Sequence, residues 1–233
     1  MAPEDLSALV VSLKVALGAS LIAMLLGAPV GYALSQVRRR PGAGLWSGLG
    51  LEFLLHLPVI APPVVVGLVL LSTLGGAAPL GSWLEQNFHI QLAFTTAGAA
   101  LAAGIVAAPF AARAASLSFE GVDSTLQEAA HASGAGRLDT FVNVTLPLAA
   151  PGLIAGLLTA FAVALGEFGA VITFAANIPG QTQTLPLAIY AALAAPGGEE
   201  RAAHLALMAV SMAGLAVLAA QLLRARAQRG FGP

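Results

Sequence analysis

Side chains able to do bond chemistry are few in this chain and widely separated. The four histidines, His56, His89, His131 and His204, share no HExxH spacing or ligand-pair spacing, so no metal site is expected. Cysteine is absent, which removes thiolate metal sites, disulfides and a cysteine nucleophile. The one lysine, Lys14, is followed by Val15, whereas a phosphate-cradling P-loop needs Lys followed by Ser or Thr. No local Ser-His-Asp pattern occurs either. The expectation is a non-catalytic protein with no cofactor. One acid, Glu167, lies well inside an apolar run. A charge at the middle of a bilayer costs about 2.5–3.5 kcal/mol on insertion scales, so this carboxyl must be partnered or protonated. Glu167, with Gly166, Phe168 and Gly169 around it, is expected to serve a gate or to lock helices through hydrogen bonds rather than to coordinate cargo. The rival from another class is a secondary transporter driven by an ion gradient, with Glu167 as its ion site.

The elements holding these residues must lie in a membrane. Of 233 residues, 58% are hydrophobic and 9% charged, with a mean hydropathy of +0.87, far from the composition of a water-soluble domain. Lipid is the surrounding partner. A net charge of −1 excludes a nucleic-acid partner, which needs a basic surface. Five stretches are long and apolar enough to cross, 6–34, 49–74, 92–115, 148–174 and 203–223, giving an all-α polytopic bundle. The stretch 184–195, bracketed by Pro186 and Pro196, is too short to cross and is expected to be re-entrant or surface-lying; a sixth crossing would flip the amino-terminal side. With Arg38, Arg39, Arg40, Arg113, Arg137, Arg224, Arg226 and Arg229 on the cytoplasmic side, only Lys14 and Arg201 lie elsewhere. The amino terminus is therefore expected outside and the carboxyl terminus in the cytoplasm of a cell-membrane protein. The first acidic residues, Glu4 and Asp5, replace the basic cluster of a signal peptide, so the first span is expected to be retained. Small residues spaced by four, Gly27 with Gly31 and Gly152 with Gly156, allow close helix approach within one subunit. Pro58, Pro62 and Pro63 break the start of the second span. Trp83, Glu85, Gln86 and Asn87 are expected in a short interfacial helix on the outer side. Asn177, Gln181, Thr182, Gln183 and Thr184 form an outer loop whose polar groups could line an exit or simply make a turn.

One polar stretch, about 118–147, interrupts the apolar chain on the cytoplasmic side. Asp123, Ser124 and Thr125 offer oxygens for a helix start, and both Ser124 to Gln127 and Thr125 to Glu128 have capping-box spacing. That helix is expected to run to about Ser133 and stop at Gly134 or Gly136. A second short helix follows, with Leu138, Phe141, Val142 and Val144 forming an apolar face. Pro147 then suits the first turn of the next span. Two short helices joined by a glycine swivel make a knob that a water-soluble partner can grip.

The residues Glu128-Ala129-Ala130, Gly134, Val144 and Leu146-Pro147 keep the spacing of a known signature. The run EAAHASGAGRLDTFVNVTLP resembles the loop of permease subunits in binding-protein-dependent ABC importers. That resemblance implies that Glu128, Ala129, Ala130 and Gly134 belong to a coupling helix docking on a separate ATP-binding subunit, with Val144 a conservative departure from Ile. ALGEFGAVITFAANIPGQTQTLPLAIY at 164–190, LVVSLKVAL and LPVIAPPVVVGLVLL are similar to the molybdate branch. Sulfate and thiosulfate permeases share a Gly-Glu-aromatic-Gly core and remain the alternative. The resemblance implies one permease domain over 1–233, a homodimer, two cytoplasmic ATP-binding subunits and an external oxyanion-binding protein, carrying molybdate and often tungstate. A naked carboxylate at Glu167 would repel such an anion, which favours a gate; Pro62 and Pro63 could line the pathway or simply kink the second span.

Overall fold

In the computed structural model, residues 3–39, 50, 53 and 60–230 are described. All regular elements among them are helical. Helix α1 spans Pro3–Arg39, α2 Pro63–Leu74, α3 Pro79–Phe88, α4 Thr96–Glu120, α5 Ser124–Ala132 and α6 Arg137–Thr140. A π turn, Phe141–Thr145, joins α6 to α7, Leu146–Leu165; then come α8 Gly169–Ala175, α9 Leu185–Ala194 and α10 Glu199–Gly230. Four helical runs pass the length and hydropathy test for a span: Pro3–Arg39, Thr96–Glu120, Arg137–Leu165 and Glu199–Leu223. Helices α2 and α3 pass together across a 55° bend. Five expected spans thus map onto the bundle, although the start of the second, with Pro58, lies outside the described residues.

The core is built largely from alanine and glycine, with a few large side chains such as Phe174, Leu185 and Leu187 among them, because helix pairs approach at backbone distance. Gly27 and Gly31 of α1 face Ala108, Ala112 and Ser116 of α4, while Gly18 faces Ala100, so α1 and α4 run parallel. Gly152 meets Ser118 and Gly156 meets Ala114, setting α7 antiparallel to α4. These glycines therefore pack within one subunit, as their spacing implies. Large apolar side chains such as Leu17, Leu21, Leu25, Leu207, Val210 and Leu215 point outward, the arrangement suited to lipid, where apolar exposure carries no penalty.

Three expectations need correction. The stretch 148–174 is not one helix: α7 stops at Leu165, Gly166 closes it, and α8 restarts at Gly169. The third crossing begins at Thr96 rather than Leu92, because the Thr95 side chain caps it by accepting from Gly98 N–H at 3.1 Å, satisfying an end amide. The second short helix is not separate from the fourth span, since the chain is helical from Arg137 onward through the π turn, while Pro147 does stand in the first turn of α7, as expected. Helix α9, ten residues or about 15 Å long, is too short to cross; it rises beside Ala8 and Leu205 from the level of Ser12, whose Oγ accepts from Leu185 N–H at 2.6 Å. Its far neighbour is an ion-pair group in which Arg201 bridges Asp5 at 2.8 Å and Glu4 at 3.0 Å, joining the first turns of α1 and α10.

Candidate coupling segment and membrane pathway

At the end of the bundle opposite Arg201, the chain leaves the membrane part and builds a knob. Arg39 fixes its root: Nη2 donates to the carbonyls of Phe119 at 2.8 Å, Glu120 at 3.0 Å and Val122. Phe119 and Glu120 lie in the last turn of α4 and Val122 just beyond it; the Phe119 carbonyl also accepts from Val122 N–H at 3.2 Å, and a cation at this helix end suits the dipole. Arg38 bridges Glu120 at 3.1 Å, and Ser116 Oγ donates to the same carboxylate at 2.7 Å. The Asp123 carboxylate then caps α5 by accepting from Thr125 N–H at 2.9 Å, and this hydrogen bond holds its carboxyl below the ordinary 3.8.

Helix α5 has no buried residue. Its end is a left-handed glycine stop: Gly134 has φ +89°, Ala135 N–H donates to Ala130 carbonyl at 3.0 Å, and Gly134 N–H donates to His131 carbonyl at 3.0 Å, a pairing that needs a residue without Cβ. His131 Nδ1 lies 3.0 Å from the Ala135 carbonyl; a carbonyl only accepts, so that nitrogen carries the proton. The expected apolar face of the second short helix divides. Phe141 turns in, stacking edge-on with Tyr32 at 5.1 Å and near Phe119 at 6.2 Å, whereas Leu138 and Val142 stay 75% and 47% exposed. With Leu126 at 48%, the knob presents apolar side chains next to exposed Glu128 and Ala129, with Ala130 half-buried. Val144 is half-buried, and Leu146 and Pro147 are exposed at the joint.

The second group lies about 30 Å along α7, at its other end. Glu167 sits in the break between α7 and α8, 7% exposed, and its Oε1 accepts from Ala170 N–H at 2.9 Å. It is therefore the cap of a restarted helix, a role invisible while the span is drawn unbroken. Gly166 and Gly169, flanking it, carried the signal for that break. Helix α8 presses on α2: a Cβ at Gly169 would stand 3.0 Å from Pro63, and one at Gly67 2.7 Å from the Ala170 carbonyl. Pro62 precedes α2 as its cap residue, and Phe168 stacks on Tyr190 at 5.4 Å. The residues expected to form a gate are thus neighbours in space, apart from the coupling residues at the opposite end. In the following loop Thr182 is fully buried; its Oγ1 donates to Ala176 carbonyl and accepts from Ile178 N–H, closing the turn. Gln183 and Thr184 are buried, and Gln181 is exposed, reaching Phe94 carbonyl at 3.3 Å. Asn177 is half-buried, and its Oδ1, like Thr184 Oγ1, has no hydrogen-bond partner. Among the described residues, no three His, Cys, Asp or Glu side chains gather.

Residues 27–232 match the family described as binding-protein-dependent transport system inner membrane component. This chain belongs to that family. As a permease subunit it is an inner-membrane transport component that works with a binding protein. It is 44% identical over 214 residues to the molybdenum transport system permease protein ModB of Escherichia coli K12, covering 91% of this chain and 90% of that protein. It is 40% identical over 228 residues to ModB of Haemophilus influenzae, covering 98% and 97%. The putative molybdenum permease YvgM of Bacillus subtilis is 38% identical, with 82% of each chain covered. In fold, it superposes on a chain of the inward-facing MetNI methionine ABC transporter with a TM-score of 0.67 at 19% identity, covering 97% and 99%. A bacterial alginate ABC importer gives 0.61 at 15% identity, covering 100% and 82%.

Proposed function

We propose that this chain is the membrane subunit of an ATP-driven importer carrying molybdate, and tungstate with it, into the cytoplasm. The observation that carries the reading is end-to-end similarity to molybdenum permeases at 40–44% identity, which favours this branch over the sulfate and ion-coupled alternatives. The whole of 1–233 acts as one permease domain. With Arg38, Arg39, Arg113 and Arg137 at the knob end and Lys14 and Arg201 toward the other, the knob faces the cytoplasm and the amino terminus the outside. Exposed Leu126, Leu138 and Val142 around Glu128 fit an apolar groove with a cationic rim on a separate ATPase subunit, where hydrolysis takes place. Two copies of the chain and two ATPases form the transporter, fed by an external oxyanion-binding protein. Closure of the ATPases moves the knobs, and the helices convert that movement into alternating access. Glu167 keeps α8 seated on α2, where a pathway between two copies has its gate; Asn177 and the 181–184 loop face the binding protein's side.

Cells that lack their own molybdate permease and carry this one test the reading. Uptake of radiolabelled molybdate should be suppressed by excess tungstate and untouched by excess sulfate. Suppression by sulfate alone contradicts the branch.

A further inference from the structure

The joint between the knob and α7 is wound in an unusual way. Leu146 N–H donates to the carbonyl of Phe141, five residues back, across the turn Phe141–Thr145. A proline inside a regular α-helix crowds the carbonyl four residues earlier, here that of Asn143, but Pro29, Pro109 and Pro151 are carried in regular helix in this chain, so Pro147 suits the wider turn without requiring it. Such π turns recur at functional sites. Two threonines support the wider turn from inside. Thr140 and Thr145 are 3% and 4% exposed although Val142 and Asn143 beside them face out. The Thr145 hydroxyl donates to Thr140 carbonyl at 3.5 Å, and Thr140 Oγ1 lies 3.4 Å from His131 Nδ1 on α5. The turn is bounded by fixed points: the Phe141 ring among Tyr32 and Phe119 on one side, and the Ala149 carbonyl held by Ser118 Oγ at 2.6 Å on the other. Any movement of the knob relative to α7 must therefore deform the π turn or the short 121–123 link to α4.

We propose that this π turn, which ends just before Pro147 and is held by Thr145 as a positioning residue, is the compliant joint through which the knob drives α7, so that transport per ATP depends on its extra residue. The proposal rests on the importer reading above. Deleting Asn143, which lies in the turn, faces out and is not among the apolar docking residues, restores the residue count of a regular α-helix between the same anchors and makes the joint stiff.

The deletion, Thr145→Val and Thr145→Ser are each co-expressed with the ATPase subunit and reconstituted with the binding protein. Co-purification of the ATPase, ATP hydrolysis and molybdate uptake are then measured. All three variants should still co-purify with the ATPase. Uptake per ATP should fall at least about fivefold in the deletion, the low end of energetic coupling between sites. It should fall about twofold in Thr145→Val, as expected for one modest hydrogen bond, and recover in Thr145→Ser. A deletion that transports with the parent ratio overturns the proposal. If the deletion does not accumulate in membranes, a parent ratio in Thr145→Val overturns it instead. Failure of the unaltered chain to bind any ATPase is a different result and refutes the importer reading.

Discussion

Replacing Gly31 by alanine tests whether backbone-distance packing between α1 and α4 holds the bundle together. A Cβ at this position would stand 2.5 Å from the Ala112 carbonyl oxygen, 2.7 Å from Ala115 Cβ and 2.8 Å from Ser116 nitrogen. Two of these three are backbone atoms that no rotamer change can move. The helices must part by roughly half an ångström before the shortest contact reaches even a tight 3.0 Å, and over-packing of this kind costs about 1–3 kcal/mol. Against it stands the gain of up to about 1 kcal/mol from giving a helix alanine in place of glycine. With that gain subtracted, the net loss is about 0–2 kcal/mol, up to roughly a thirtyfold fall in the folded ratio. For a chain of this length that lowers the midpoint by up to about 8 °C. Gly214 is the control, since nothing lies within 4 Å of a Cβ there and its alanine variant keeps only the gain. Thermal unfolding of both variants in nanodiscs is the assay. Gly31→Ala melting at or above Gly214→Ala would refute the packing argument.

Four further outcomes follow. Glu128→Arg puts a cation on the exposed face of α5, so ATPase co-purification and molybdate uptake should both be lost while the protein still accumulates; normal uptake would remove the knob from coupling. Glu167→Ala leaves the Ala170 amide without its buried acceptor, a loss of about 1–3 kcal/mol, whereas Glu167→Gln keeps an acceptor oxygen; melting curves should place alanine well below glutamine, and equal curves would deny the cap. Arg39→Ala removes the donor shared by the Phe119, Glu120 and Val122 carbonyls at and just past the end of α4, so hydrogen exchange should quicken across 119–125, and unchanged exchange would show that the arginine holds nothing. Because Asp123 is held below its ordinary value of 3.8 by its bond to Thr125, its contribution to α5 is present above that value and is lost as pH falls through the lower native one; Asp123→Asn should flatten the acid fraying of α5 measured by exchange.

The membrane class and the knob were legible because their signals are local. Hydropathy runs mark helices wherever lipid rather than a partner surface covers them, and Asp123, Gly134 and the Glu128-Ala129-Ala130 spacing act within one or two turns. The break at 166–168 was not legible from hydropathy, since Gly166, Phe168 and Gly169 are all tolerated in an unbroken span; it follows from α8 lying against α2, a contact one hundred residues away in sequence. The division of the apolar face, with Phe141 inward and Leu138 outward, depends on Tyr32 and Phe119 supplying an aromatic niche from two other helices. Helical periodicity cannot register a π turn, because it assumes one winding throughout. Burial of Thr182 and Thr184 likewise arises from a loop folding back onto Ala176 and Ile178, beyond the reach of composition.

The most direct measurement is uptake of radiolabelled molybdate into proteoliposomes assembled from purified parts. With the knob of this chain facing an ATPase subunit and ATP inside, and the binding protein outside, molybdate should accumulate only when all the parts are present. Accumulation by this chain alone, driven by an ion gradient and indifferent to ATP, would contradict the account.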